Sequence, residues 1–105
     1  MSAVLVFCTC PDEAVAERIA NALVEERLAA CVNRLPGVVS TYRWKGETHR
    51  DSECLLLIKT TVERFDALRE RIVAVHPYEL PEVIAVDVIL GLSPYLDWIA
   101  SETQP

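Results

Sequence analysis

The most chemically dense stretch of the chain is His76-Pro77-Tyr78-Glu79-Leu80-Pro81-Glu82, which sets an imidazole, a phenol and two carboxylates between two prolines. Imidazole titrates near neutral pH and is the commonest metal ligand. Carboxylates and a phenol beside it can act as acids and bases. A second concentration is Cys8-Thr9-Cys10, a C-x-C pair whose sulfurs suit soft metal ions. Each has a plainer reading. His76 can serve as a helix-end residue interacting with the last carbonyls, and Cys8 as a buried strand-end thiol.

The elements around these residues determine whether they meet. Residues 61–75 carry Phe65, Leu68, Ile72 and Val75 at helical spacing, with Thr60-Thr61-Val62-Glu63 as a capping box. Pro77 forbids further helix, and residues 83–90, rich in β-branched side chains, read as a strand. The first strand covers residues 3–8 and is apolar throughout, as suits burial on both faces. A helix follows to about residue 29, started by Thr9 as cap or by Pro11 in its first turn, with Val15, Ala16, Ile19, Ala20, Ala22 and Leu23 inward. Residues 30–35 form a short strand interrupted at Pro36-Gly37, a sign of an edge or a bulge, and the strand resumes over residues 38–45. Lys45-Gly46 is the turn, and residues 47–60 return antiparallel. Ser93 caps a short last helix over residues 94–100 that begins at Pro94.

This β-α-β-β-α-β order with a terminal helix is the split βαβ pattern, so the expected class is α+β, a ferredoxin-like sandwich with an antiparallel sheet and a long β2–β3 hairpin. Right-handed crossovers put both main helices on one face of the sheet. The same connectivity brings Cys8, His76, Tyr78, Glu79 and the start of the first helix to one edge. The other face is also apolar, and one short helix cannot cover it, so subunits must bury it between them. Tyr42, Trp44 and Trp98 are expected at such contacts, and the 42–54 hairpin is expected to pair with a neighbour. Lys59 reads as a solvated strand end and His49 as solvent-facing.

The 105 residues suit one domain over 1–105, and 51% of them are hydrophobic, which again favours oligomers. A net charge of −6 and a pI near 4.8 disfavour nucleic acid. The N-terminus lacks a basic segment, and its apolar run is too short for a signal peptide or a membrane span, so the expected address is cytoplasmic. In that compartment the four cysteines are expected as free thiols, with Cys31 and Cys54 as core residues.

Five blocks then resemble the CutA family of divalent-cation tolerance proteins: Cys8-Thr9-Cys10-Pro11-Asp12-Glu13, Leu28-Ala29-Ala30-Cys31-Val32-Asn33, Tyr42-Arg43-Trp44-Lys45-Gly46, Ile58-Lys59-Thr60-Thr61 and the His76–Glu82 stretch. The resemblance implies a homotrimer of ferredoxin-like subunits, similar in outline to PII signalling proteins, with copper and other divalent cations as ligands. It also implies Cys8 and His76 as metal ligands, with Val75 where the family pattern has a further histidine and Cys10 or a neighbouring subunit available to complete the set. An enzyme using His76, Tyr78, Glu79 and Glu82 is the competing class, and no nucleophile elbow, phosphate loop or HExxH motif supports it. An RNA-binding module of this fold needs aromatics on its inner strands, where the chain has Cys54-Leu55-Leu56-Leu57-Ile58.

Overall fold

The structure is a computed structural model that describes residues 2–105. Its elements are β1 (Ala3–Cys10), α1 (Glu13–Glu25), β2 (Cys31–Trp44), β3 (Glu47–Thr61), α2 (Val62–Val75), β4 (Ile84–Asp87) and α3 (Ser93–Glu102). The sheet runs β2-β3-β1-β4 with every neighbour antiparallel, which is the expected ferredoxin-like arrangement. Side chains alternate across β1: Val4, Val6, Cys8 and Cys10 are buried, while Leu5, Phe7 and Thr9 are half-buried on the other face. The first set joins Cys54, Leu56 and Ile58 of β3, Ile19 and Leu23 of α1, and Leu68 and Ile72 of α2 in the core.

Several boundaries differ from the sequence reading. The cap of α1 is neither Thr9 nor Pro11 but Asp12, whose Oδ1 accepts from the Val15 N–H at 2.8 Å. A carboxylate one residue before the first turn meets the orphan N–H groups and the positive end of the helix dipole together. That displacement lets β1 continue through Thr9 and Cys10. The helix ends at Glu25, short of residue 29, because Arg27 turns left-handed at φ 60°. Its guanidinium donates to the Ser101 and Gln104 carbonyls at 3.0 and 2.8 Å, fastening the end of α3 beside the α1–β2 connection.

Pro36-Gly37 does not split β2; it shifts the register between Leu35 and Val38 within one strand on the sheet edge. Lys45 and Gly46 both take positive φ, 51° and 82°, as a two-residue hairpin turn requires. Beyond the Cys10–Cys54 pair β3 is bonded only to β2, so the rest of the hairpin is a free ribbon, and the longest dimension of the molecule reaches 44 Å. β4 is four residues rather than the 83–90 span, since beyond Val88, whose N–H reaches the Ala3 carbonyl, it has no further partner on β1.

The capping box at α2 does not form. Thr60 Oγ1 donates to the Leu28 carbonyl at 2.7 Å, and Thr61, the N-cap, makes no side-chain cap. The Val62 N–H instead meets the Ser2 carbonyl at 2.9 Å. Likewise α3 is capped at Leu92 with Ser93 inside it and runs to Glu102, longer than the 94–100 span. It packs against β1 and β3 on the face opposite α1 and α2 and buries Ile99. Leu80, Ile89, Leu90 and Leu92 nevertheless remain 70–86% exposed, and Ile84 and Val86 of β4 are more than half exposed.

Candidate metal centre

Strand alternation explains how a C-x-C sequence becomes a site. Positions two apart share a face, so Cys8 and Cys10 both point under the helices, and both are wholly buried. The third member arrives from the end of α2. His76 is its C-cap, held by a backbone N–H bond to the Ile72 carbonyl at 2.8 Å, and Pro77 turns the chain away immediately afterwards. The ligand atoms of Cys8, Cys10 and His76 all lie within 4.8 Å of one another. The edge placement inferred from connectivity is thus realised for Cys8 and His76, and Cys10 joins them.

The His76 ring is fixed through both nitrogens. Nδ1 accepts the Tyr78 N–H at 3.1 Å, so Nε2 carries the proton and donates to the Thr9 carbonyl at 2.8 Å. Tyr78 also stacks obliquely on the imidazole, with ring centroids 4.6 Å apart. The thiols polarise one another. Donating a hydrogen bond to Cys10, and then burial, push the Cys8 thiol far above its ordinary value, while the same bond holds Cys10 below its own. The two therefore titrate as a unit.

On the opposite face of the sheet a cleft of about 580 Å³ opens beside this centre, lined by residues including Thr9, Tyr42, Trp44, Glu53, Tyr78 and Glu82. The Tyr78 hydroxyl donates to Glu53 Oε2 at 2.6 Å, and burial followed by that bond raises the phenol pKa. Burial, and then Glu53, also raise Glu82. Glu79 lies at the rim and pairs with Lys45 at 3.7 Å. Glu53 is not among the residues the sequence points to. Its signal was a carboxylate one position before the apolar Cys54–Ile58 run, on the face that alternation assigns to Leu55 and Leu57.

The remaining assignments divide. Cys54 is buried as expected, and all four cysteines are free. Cys31 is only half-buried and contacts the Lys59 ammonium at 3.8 Å. Lys59 also bonds Asn33, so it is not a solvated strand end. His49 is half-buried rather than open, because it stacks on Tyr42 across the hairpin at 5.4 Å.

Residues 4–102 match the family model described as CutA1 divalent ion tolerance protein. The chain is 54% identical over 99 residues to the divalent-cation tolerance protein CutA of Thermus thermophilus, covering 94% of this chain and 96% of that one. To Protein CutA of Mus musculus it is 52% identical over 98 residues, covering 93% of this chain and 55% of that longer protein, so it spans about half of that relative. Among solved structures, CutA from Xylella fastidiosa is similar with a TM-score of 0.96 at 52% identity, covering 99% of this chain and 100% of that one. CutA1 from Oryza sativa gives 0.96 at 40% identity, with coverage of 99% and 95%.

Proposed function

The chain belongs to the CutA1 divalent ion tolerance family, and on that premise we propose that it is a non-catalytic homotrimer that holds copper, as Cu(I), through Cys8, His76 and Cys10 in the response to metal ions. The observation that carries this reading is the convergence of two buried thiols and one imidazole within 4.8 Å. Ligand atoms sharing one ion at about 2.0–2.3 Å stand on the order of 4 Å apart, so small side-chain shifts suffice. Two sulfurs and one nitrogen satisfy Cu(I) and leave Zn(II) one donor short of its usual four. Binding through Nδ1 gives up the Tyr78 N–H and keeps the Nε2–H bond to the Thr9 carbonyl as the outer contact that orients a ligating imidazole, whereas binding through Nε2 would move the proton to Nδ1 and lose both bonds.

The trimer is supported by the uncovered apolar residues of β4 and of the segments on either side of it. A second reading, a small-ligand-binding trimer with a PII-like signalling role, is favoured by the cleft against Tyr78 and Glu53. Copper titration against a chromophoric Cu(I) chelator tests the first. Cys8→Ser and His76→Ala are expected to weaken binding by roughly tenfold or more, the scale of even outer-shell losses at metal sites. His49→Ala, out on the hairpin, is expected to bind as the parent does. Val75→His is expected to tighten binding by adding an imidazole at the end of α2. Unchanged affinity in both Cys8→Ser and His76→Ala would refute the metal reading.

A further inference from the structure

A third thiol stands against this cluster and has no part in it. Cys54 on β3 is the register partner of Cys10 on β1. We propose that Cys10 and Cys54 form a cross-strand thiol pair that closes to a disulfide under mild oxidation, and that closure withdraws Cys10 from the cation-holding cluster. The second half rests on the copper reading; the first does not.

The backbone already meets the demands of the bond. Directly opposed residues in an antiparallel pair have Cα atoms about 4.5 or 5.5 Å apart, according to whether the pair is the hydrogen-bonded one. Both values fall inside the roughly 4.4–6.8 Å window of disulfides. Opposed side chains also leave the sheet on one face, and here both sulfurs lie in the core under the helices, with 0% and 1% of each residue exposed. The competing pairs are worse placed. Cys8 and Cys10 are two positions apart on one strand, about 6.6–6.8 Å at strand rise, at the far limit of that window. Cys31 opposes Lys59 on the other face of the sheet.

Burial selects a small oxidant, and hydrogen peroxide is of the right class. One thiol of the pair is oxidised to the sulfenic acid as the O–O bond breaks and one water leaves. The other sulfur then attacks it, the S–O bond breaks, and the hydroxyl departs with the remaining thiol proton as a second water. Two thiols thus lose two electrons and two protons to one peroxide. Cu(I) would afterwards find only Cys8 and His76, so oxidation weakens copper loading and bound copper keeps Cys10 from the bridge.

The test treats the reduced protein with hydrogen peroxide, with and without bound Ag(I), a soft monovalent stand-in for Cu(I) that does not give an electron to peroxide, then blocks free thiols under denaturing conditions and maps bridged peptides by mass spectrometry. Copper affinity is measured before and after by chelator competition. The expected result is an intramolecular Cys10–Cys54 bridge, absence of that bridge when the soft cation is bound, and recovery of copper binding on reduction with dithiothreitol. Cys54→Ala, and Cys54→Val with more of the core volume kept, are expected to bind Cu(I) as the parent does and to form no bridge. A bridge at Cys8–Cys10, bridges only between chains, or no bridge overturns the pair. Loss of Cu(I) affinity in both Cys54 variants makes Cys54 a ligand and overturns the withdrawal. A Cys10–Cys54 bridge in a protein that binds no Cu(I) when reduced upholds the pair and sinks the copper reading instead.

Discussion

Glu82 shows how the cleft loads individual residues. Burial and the nearby Glu53 raise its pKa above 4.5, so the folded chain holds the proton more tightly than the unfolded one. A group raised in this way contributes stability that is complete below its unfolded pKa and is lost as pH rises through the folded one. Wherever Glu82 is ionised in the folded chain, it is therefore ionised at a cost. Glu82→Gln is expected to raise the urea midpoint at pH 7, with the gain fading as pH falls toward 4.5, where the parent is protonated too. A midpoint difference that does not change with pH would assign the effect to packing instead. Among single residues, the meeting of Cys8 and His76 was legible because the βαββαβ connectivity fixes which strand ends and helix ends share an edge. Glu53 was not, because its role depends on the Tyr78 hydroxyl reaching it from a loop 25 positions away.

The junction of β3 and α2 separates two adjacent threonines that the sequence treats alike. Thr60 Oγ1 is buried and bonded to the Leu28 carbonyl, while Thr61 Oγ1 is buried without a partner among the described residues. Replacing both by valine should therefore give opposite signs. Thr60→Val leaves the Leu28 carbonyl short of a donor and should cost about 1 kcal/mol or more, whereas Thr61→Val removes a desolvated hydroxyl and should gain on the order of 1 kcal/mol. Urea unfolding of the two variants checks this, and equal signs would contradict it. The element types and order were readable because apolar runs, Pro77 and Lys45-Gly46 punctuate the chain. The ends were less so, since caps are settled by tertiary partners: Ser2 supplies the acceptor that made the Thr60–Glu63 box unnecessary, and Asp12 takes the helix start away from Thr9.

At the scale of the molecule, the sheet has helices α1 and α2 for one face and only α3 for part of the other, so apolar residues of and around β4 stay exposed in the single chain. The hairpin beyond Cys54 offers unpaired strand edges in the same way. Trp44, half-buried at the tip with the Lys45 ammonium 5.6 Å from its ring centroid, is expected to lie in that contact. Trp44→Ala should leave copper affinity unchanged and weaken assembly, shifting the dissociation midpoint read by light scattering to higher protein concentration; an unchanged midpoint would count against it. The expectation of a partner rests on strands apolar on both faces, whereas the trimer number rests on the resemblance alone. The account stands most directly on native mass spectrometry of the protein loaded with Cu(I) under reducing conditions. It predicts a species at three times the 11.8 kDa chain mass carrying one copper per chain, with the metal lost in Cys8→Ser. A copper-free trimer, or a monomer at micromolar concentration, would contradict it.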